Sequence, residues 1–579
     1  MYICAINVSE MNDKLFWRLA AIIFVFLFLF LGEADFHTKG EPREATVALS
    51  ILQQDNWILP INNGVDIPYK PPFLHWCIAL ASLLVGTVTE YTARFPSALA
   101  LAAMVMLGYV FYSRRGNRQV AFVAALLTLT TFELHRAGTN CRVDMMLTAL
   151  MVISLFLLYR WTERGMRGVP WLAILCLSGA FLTKGPVGVL LPCLVTAVFQ
   201  LCKGMGLRRI FFRFLLIGLA SCVLPLFWYV AAYLQGGEYF LRLVMEENLL
   251  RFLGKMSYAS HHNPAYYNVL TVLAGFLPYT LLALISLFWI RPRRGLLLSG
   301  WWERFKRYFR EMDDVRLFSL LSIVVIFVFY CIPKSKRSVY LMPIYPFIAY
   351  FLAEYVIYLW RHKPTVLRVY GAILSSLSLL TLAAFIVVRM GMIPETVFTG
   401  KHAAQNQAFL HALETVPILG VGVLLLAFML FAAVFFLSLR GSDRFQRWGL
   451  HAIFAIVFSI FMVQDGYLGP AVLNVKSDKP YAERIAQIVP AGKVYSTHTA
   501  ELEGDPVRPF SVNFYLGDRV EPFDKTKPAQ GYLLACDEDA KDFLQEHPGY
   551  SLELVYDSGH RSCDDRKVIQ LYRFQRRIP

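Results

Sequence analysis

Long apolar runs constrain the fold of this chain more than any other feature of its sequence. Runs of about 17 to 25 residues, the length that crosses the hydrocarbon core of a membrane, recur from residue 15 to residue 468. Hydrophobic residues occupy 57% of the 579 positions, and the mean hydropathy is +0.49. The sequence therefore predicts a polytopic α-helical membrane protein. The first run has only Lys14 and Arg18 as flanking charges and no clear cleavage site, so we interpret it as a retained span rather than a signal peptide.

Basic clusters between the apolar runs predict the topology. Each cluster is separated from the next by a pair of apolar segments, so the positive-inside rule assigns all of them to the cytoplasmic face if 73–84 is a short interfacial helix that does not cross. The N-terminus is then cytoplasmic, and the tail lies on the opposite, outer face. The clusters are 114–118, 160–167, 203–213, 291–316, 361–368 and 440–447. About thirteen spans follow: 15–33, 96–113, 119–134, 144–160, 170–183, 188–202, 211–233, 268–290, 316–332, 339–359, 367–388, 410–439 and 448–468.

The chain divides into a transmembrane domain, residues 1–470, and a small extracytoplasmic α/β domain, residues 471–579. The first outer loop, 34–95, belongs to the former and carries membrane-surface helices. The tail alternates short β-prone runs with amphipathic helices; we predict helices at 479–488 and 538–545, and strands at 493–497, 531–535, 551–555 and 568–572. The net charge of +15 is explained mostly by the cytoplasmic loops and does not indicate a nucleic-acid partner.

Two of the ten cysteines, Cys536 and Cys563, lie in the tail. On an oxidising outer face a disulfide between them is plausible, and two free thiols are the alternative.

The polar segment 36–76 of the first outer loop is the best candidate for chemistry. Apolar spacing predicts a surface helix at 43–54, with Glu41 near its N-terminus, where the helix dipole favours a carboxylate. Glu41 can take a proton from an acceptor and Arg43 can hold a phosphate; the alternative is a helix cap paired with Arg43. Lys70 either binds an anion at the interface or extends to lipid headgroups.

Other charged residues fall on the same predicted face. Arg142 and Asp144 form a structural pair or line a polar cavity. Three basic residues in one short loop, 333–338, run against the positive-inside tendency, so we expect either lipid headgroups or the phosphate of a lipid-linked ligand to compensate them. The residues that carry this excess of positive charge are Lys334, Lys336 and Arg337 together with Lys184, and Arg251 and His261 add further basic groups to the same face. No metal-binding spacing accompanies the histidines.

Eight motifs follow one another along the chain: GEPREA (40–45), DNWILP (55–60), YKPP (69–72), CRVDMM (141–146), LTKGP (182–186), EENLLRF (246–252), HHNPAYY (261–267) and PKSKRSVYLMP (333–343). This ordered set resembles the protein O-mannosyltransferase superfamily, and within it the bacterial aminoarabinose-transferase-like branch of C-type membrane glycosyltransferases. The resemblance is collinear over roughly residues 15 to 350, and the tail matches only through SVNFYLGDRV at 511–520.

The resemblance implies transfer of a sugar from a polyprenyl-phosphate donor to an acceptor, with inversion at the anomeric carbon, on the outer face of a bacterial cytoplasmic membrane. By motif position it implies catalytic roles for Glu41 and Asp144. It assigns the donor phosphate to Arg43, Lys70, Arg251, Lys334, Lys336 and Arg337, and other cavity positions to Lys184, Glu247, His261 and Tyr340. We expect a monomer that requires no cofactor, with the need for a divalent metal left open.

Two departures from the family pattern limit the transfer of detail. Gly40 stands where the family often has an aspartate before the glutamate, and Tyr69 stands where aminoarabinose transferases carry a glutamate that joins a histidine on zinc. A metal at His261 is therefore only a weak candidate. The acceptor is lipid A-like, another glycolipid, a polysaccharide or a protein. A flippase for lipid-linked sugars and an inactive lipid-binding member are the alternative functions.

Overall fold

The computed structural model describes residues 13–68, 70–250, 263–264, 266–289, 311–400, 402–417, 420–439, 441–497 and 508–577, with only the backbone at 248 and 249. The N-terminal four fifths is helical, and a small sheet follows it. The helices that precede the sheet are α1 (Lys14–Phe28), α2 (Gly40–Gln54), α3 (Phe73–Leu83), α4 (Glu90–Ser113), α5 (Arg118–Leu129), α6 (Phe132–Gly138), α7 (Val143–Glu163), α8 (Trp171–Lys184), α9 (Val187–Cys202), α10 (Leu207–Met245), α11 (Tyr266–Gly275), α12 (Tyr279–Leu287), α13 (Asp314–Cys331), α14 (Tyr345–His362), α15 (Pro364–Arg389), α16 (Ala403–Thr415), α17 (Val421–Ser438), α18 (Ser442–Val463) and α19 (Gly469–Leu473).

A helix occupies each predicted span, but some of these helices are shorter than a membrane crossing requires. Within the described ranges, eight helical segments are long and apolar enough to cross a membrane, or up to ten if two bent pairs each count as one span. Three further predicted spans correspond to α1, α8 and α9, which have 15, 14 and 16 residues. Membership of the membrane class is thus confirmed, whereas the number of crossings stays a prediction. The segment assigned to the interface forms the 11-residue helix α3.

The two bent pairs meet each other. The helices α5 and α6 are bent by 65° where a single span, 119–134, was predicted, and α11 and α12 are bent by 106°. The hydroxyl of Thr130 donates to the carbonyl of Leu126 at 2.6 Å, which is the local side-chain bonding that ends or bends helices at threonine. The amide of Phe132 then donates to the carbonyl of Leu277 at 3.0 Å, so the two breaks stabilise one another.

The tail forms a five-stranded mixed sheet with helices against it. Its strands are β1 (Val494–Ser496), β2 (Val520–Pro522), β3 (Gln530–Ala535), β4 (Tyr550–Arg561) and β5 (Val568–Arg576), in the order β2-β1-β3-β5-β4. The strand β1 is parallel to β2 and β3, and β5 is antiparallel to β3 and β4. The helices are α20 (Lys479–Ile488), α21 (Phe510–Tyr515) and α22 (Asp537–Glu546). The small α/β fold of the tail is confirmed, whereas its boundary as a domain and its placement outside the membrane stay predictions.

The predicted disulfide is not formed in the structure, where Cys536 and Cys563 are both free. Cys536 precedes α22 at the end of β3, whereas the Sγ of Cys563 lies 3.3 Å from Oδ2 of Asp478. Hydrogen bonding to Asp478 gives Cys563 a partner of its own, so the alternative of two free thiols describes the structure.

Polar contacts dock the tail domain onto the first outer loop. Lys479 pairs with Asp35 at 2.9 Å and with Glu90 at 3.2 Å. The side-chain amide of Asn513 donates to Oδ1 of Asn63 at 2.5 Å. The tail domain therefore lies beside the helix α2, which carries the GEPREA motif.

Candidate active site

The helix α2 buries two glutamates that are one turn apart. Glu41 is 0% exposed and Glu44 is 4% exposed. Residues three apart share a helix face, and this face lies against the neighbouring spans because Ala45, Ala48 and Ile51 pack there too. A buried carboxylate requires compensation by cations or hydrogen-bond donors. The two glutamates obtain that compensation from different partners.

Glu44 lies in a cluster of basic side chains. Its Oε1 accepts hydrogen bonds from Lys70 and, at 2.9 Å, from Nη2 of Arg43, and its Oε2 lies 2.9 Å from Nε2 of His75. Burial opposes ionisation of Glu44, but Lys70, Arg43 and His75 outweigh it and hold the pKa of this carboxyl well below its usual value. Glu44 is therefore an anion at neutral pH.

A cavity of about 100 Å³ opens beside this cluster. Arg43, Glu44, Lys70 and His75 line it from the first outer loop, and the side chain of Tyr239 lines it from α10. Two residues of the tail domain, Arg508 and Phe510, complete the wall. The cavity thus combines the carboxylates of Glu44 and Asp66, several cations and an apolar side, which is the composition of a small-ligand site.

Glu41, to which the sequence assigns a catalytic role, does not line this cavity. Its Oε1 accepts from Nε of Arg94 at 2.8 Å and from the amide of Cys141 at 3.0 Å. Burial opposes ionisation of Glu41, and Arg94 overcomes this effect and lowers the pKa of the carboxyl. The predicted capping partner, Arg43, contacts Glu44 instead. These contacts join α2 to α4 and to the segment before α7, and the catalytic role of Glu41 stays a prediction.

Asp144 lies where the sequence predicts a site residue. It is 8% exposed in the first turn of α7 and forms an ion pair with Lys184 at the end of α8. The ammonium of Lys184 also lies 4.5 Å from the ring centroid of Tyr340. Lys70 and Arg337 lie within electrostatic range of Asp144. The structure therefore brings together Asp144, Lys184 and Tyr340, and it relates them to the Glu44 cluster through Lys70.

The basic loop 333–337 presents its cations differently. Lys334 is exposed, Arg337 is half-buried, and Lys336 is 6% exposed. The ammonium of Lys336 donates to the carbonyl of Pro333 at 2.6 Å, and no described carboxylate pairs with it. Beyond this loop, the hydroxyl of Ser338 donates to Oε1 of Glu133 at 3.0 Å, which ties the loop to α6. Lys336 is therefore a buried cation in need of an anion.

The remaining predicted residues lie away from this arrangement or outside the described ranges. Glu247 lies in the π-helical segment Glu246–Leu250 that follows α10. Arg251 and His261 lie outside the described residues. Within the part of the chain that the structure describes, no group of three His, Cys, Asp or Glu side chains is placed to hold a metal ion.

Sequence reasoning missed the roles of Glu44, His75 and Arg94. Glu44 is part of the GEPREA motif, and its spacing of three from Glu41 was a usable signal for a shared helix face. His75 follows Lys70 on the next short helix, α3, but a single histidine in an apolar helix has no distinctive pattern. Arg94 is 53 residues from Glu41, so only the folded chain reveals that pair.

Comparison with known families matches the central part of the chain. Residues 69–229 match the family model described as dolichyl-phosphate-mannose-protein mannosyltransferase. The chain is 29% identical over 383 residues to the undecaprenyl phosphate-alpha-4-amino-4-deoxy-L-arabinose arabinosyl transferase 2 of Proteus mirabilis, covering 64% of this chain and 65% of that protein. It is 28% identical over 336 residues to a protein of Aquifex aeolicus, covering 58% and 62%. The matched segments span less than two thirds of either relative.

Comparison with solved structures extends over nearly the whole chain. The crystal structure of ArnT from Cupriavidus metallidurans bound to undecaprenyl phosphate superposes with a TM-score of 0.67 at 18% identity, covering 96% of this chain and 98% of that one. The chain thus has the polytopic fold of that structure. Its matches to the mannosyltransferase family model and to an aminoarabinose transferase agree with the resemblance that its motifs predict.

Proposed function

We propose that this chain transfers a sugar from a polyprenyl-phosphate donor to a lipid or glycan acceptor, with Glu44 as the base. The observation that carries the proposal is the ionised Glu44 held by Lys70, Arg43 and His75 at a cavity that the tail domain also lines. A carboxylate suits activation of an incoming hydroxyl, and lysine and arginine suit the charge that develops on a phosphate leaving group. The names of the family and of the relatives support the same class of reaction.

The donor phosphate binds to basic residues on the side of the cavity that faces the loop 333–337. Lys336 and Arg337 bind the phosphate from the loop 333–337, with Lys334 at its rim, and Lys70 completes the site from the first outer loop. Lys336 is buried, and no carboxylate among the described residues pairs with its ammonium, which supports this assignment. Arg251 lies outside the described residues, and its role at the phosphate stays a prediction from the sequence.

The reaction begins when the phosphate draws Lys70 away from Glu44. Loss of that cation raises the proton affinity of the carboxylate, which becomes a better base. An acceptor hydroxyl then loses its proton to Glu44 as its oxygen attacks the anomeric carbon, and the electrons of the broken carbon–oxygen bond pass to the phosphate. Direct displacement of this kind inverts the anomeric centre. Asp144 fixes Lys184 beside Tyr340 and shapes the sugar side of the cavity.

The orientation of the chain follows from its basic clusters. We place the N-terminus in the cytoplasm of a bacterial cell and the tail domain on the outer side of the inner membrane, because the positive-inside rule assigns the basic loops to the cytoplasm. The acceptor is lipid A-like or another glycolipid, and donor and acceptor meet at the outer surface. The enzyme acts as a monomer without a nucleic-acid partner.

A flippase for lipid-linked sugars is the second candidate function. The 65° break between α5 and α6 favours it, because transporters use broken helices that carry polar residues. The helix α6 contains Glu133, His135 and Arg136, and His135 bonds Asp465 at 2.6 Å. These residues lie at the outer end of the predicted span 119–134, where they also fit a fixed site at one face.

Transfer from a panel of radiolabelled polyprenyl-phosphate sugars to a membrane extract tests the proposal. The purified wild type is compared with Glu44→Gln and Lys336→Ala, and folding of each variant is monitored by size-exclusion chromatography in detergent. Transfer by the wild type that is lost in both folded variants supports the enzyme. Donor binding without transfer from any donor rejects it, and movement of donor across reconstituted vesicles then identifies the flippase.

A further inference from the structure

The cavity beside Glu44 is lined by parts of the chain that are far apart in sequence. One wall is the N-terminal half of α2, with Arg43 and Glu44, and a second wall consists of Arg508 and Phe510 at the start of α21; 62–75 and α10 supply the rest. The second wall belongs to the tail domain, so its position depends on how that domain is held. A site whose walls come from two domains has its binding geometry only when the contacts between the domains hold the walls in the correct relative position.

One carboxylate contacts both walls. Oδ1 of Asp565 lies 2.5 Å from the ammonium of Lys39, the residue just before α2, and its Oδ2 accepts from the amide of Arg508 at 3.0 Å. The ammonium of Lys39 also lies 5.6 Å from the ring centroid of Phe510. Next to it in sequence, Asp564 accepts from the amide of Ser511 at 2.7 Å. The loop between β4 and β5 thereby fixes the segment 508–511 against the start of α2.

Other contacts hold the same domain without touching the cavity. Lys479 bridges Asp35 and Glu90, and neither the lysine nor its partners line the cavity wall. Lys39 and Lys479 each form an ion pair between the first outer loop and the tail domain. Their side chains are 40% and 36% exposed, respectively. Exposed pairs of this kind contribute little to stability, so removing either one leaves the fold intact.

We infer that the tail domain forms the acceptor-side wall of the active site, with Arg508 and Phe510 as specificity-determining residues and Lys39 and Asp565 as positioning residues. The inference rests on the proposed transferase function, because it assigns the donor phosphate to the loop 333–337 and leaves the domain side to the acceptor. The domain is therefore part of the active site. Because the tail matches the family only through 511–520, we expect its sequence to change which acceptor is used.

Steady-state transfer by three full-length variants tests the inference. Lys39→Met removes the ion pair and keeps the apolar stem over Phe510, Lys39→Arg preserves the charge, and Lys479→Met is the matched control. We expect Lys39→Met to raise the KM for the acceptor about fivefold with the donor KM and kcat within about twofold. Lys39→Arg and Lys479→Met stay within about twofold of wild type in all three constants. The inference is overturned if the acceptor KM rises equally in Lys39→Met and Lys479→Met, or if the donor KM rises in Lys39→Met.

Hydrogen exchange of the same proteins separates the inference from the proposed function. A peptide that spans 505–516 contains the amides that Asp565 and Asp564 hold, those of Arg508 and Ser511, so Lys39→Met should exchange faster there, whereas Lys479→Met should not. If the wild type transfers no sugar, the proposed function fails. Unchanged exchange in Lys39→Met then rejects the positioning role as well, and faster exchange retains that role for a ligand other than a sugar acceptor.

Discussion

Nε2 of His75 and Oε2 of Glu44 form a 2.9 Å contact between the two surface helices α3 and α2. His75 is 1% exposed, so its ring has no freedom to leave the carboxylate. The other oxygen of Glu44, Oε1, meets Lys70 and Arg43. His75 thus fixes one oxygen and leaves the other for the ligand, and the cations around Oε1 are the groups that a phosphate can displace.

Replacing Glu44 by Gln should abolish sugar transfer while leaving donor binding intact. General bases contribute about 10²- to 10⁴-fold to rate, so we expect kcat to fall at least about 100-fold. The donor KM should not rise, because Lys70 and Arg43 lose a competitor for the phosphate. Steady-state transfer checks both constants. Asp55→Asn, at the exposed C-terminal end of the same helix, is the control and should keep wild-type kcat; a Glu44→Gln protein with full activity would exclude Glu44 as the base.

Replacing Glu41 by Ala should destabilise the protein rather than stop a chemical step. The change leaves Arg94, which is 2% exposed, without its carboxylate. Breaking a buried ion pair by removing one partner costs about 3–5 kcal/mol. We expect a lower Tm and poor recovery from the membrane, measured by fluorescence melting in detergent. A Glu41→Ala protein that melts like the wild type but transfers no sugar would restore Glu41 as the catalytic acid or base.

The helix that carries Glu41 and Glu44 can be predicted from the sequence, but which of the two glutamates lines the cavity cannot. Apolar periodicity located a surface helix near 43–54 because that signal is local, and the observed helix begins at Gly40. The same reasoning placed the helix of the tail at 479–488, as observed. Which glutamate reaches the cavity depends on Arg94 and His75, whose positions relative to α2 arise only from packing of other helices. The three-residue strand β2 was missed because so short an element has no periodicity.

The stability of the tail domain should depend on pH through Asp564. Burial and the neighbouring Asp478 raise the pKa of Asp564 well above its usual value, with Asp565 adding to the effect and Lys39 opposing it. Burial also raises the pKa of Asp478, which Ser562, Cys563 and His560 oppose. A carboxyl whose pKa is raised in the folded state stabilises the fold when it is protonated, and this contribution is lost as the pH rises through the folded pKa.

Asp564→Asn should therefore remove part of the pH dependence of domain stability. The amide still accepts from the backbone of Ser511 but carries no charge at any pH, so we expect a higher Tm than wild type at pH 8 and little difference near pH 4. Melting curves of the full-length protein from pH 4 to pH 8 provide the measurement. Asp542→Asn, at an exposed carboxyl of α22, serves as the control, and parallel pH profiles for wild type and Asp564→Asn would contradict the expectation.

Lys336 and Lys334 should differ in their effect on donor binding although they lie two residues apart on one loop. Lys336 is buried and donates to Pro333 without a described carboxylate partner, whereas Lys334 is exposed. A hydrogen bond to a charged group contributes about 1.5–3 kcal/mol, so Lys336→Met should raise the donor KM at least about tenfold. Screening by water reduces the contribution of an exposed cation, and Lys334→Met should change the donor KM by no more than about twofold. Equal effects from the two variants would indicate a diffuse attraction to lipid headgroups rather than a built phosphate site, and titration with polyprenyl phosphate in detergent distinguishes the two cases directly.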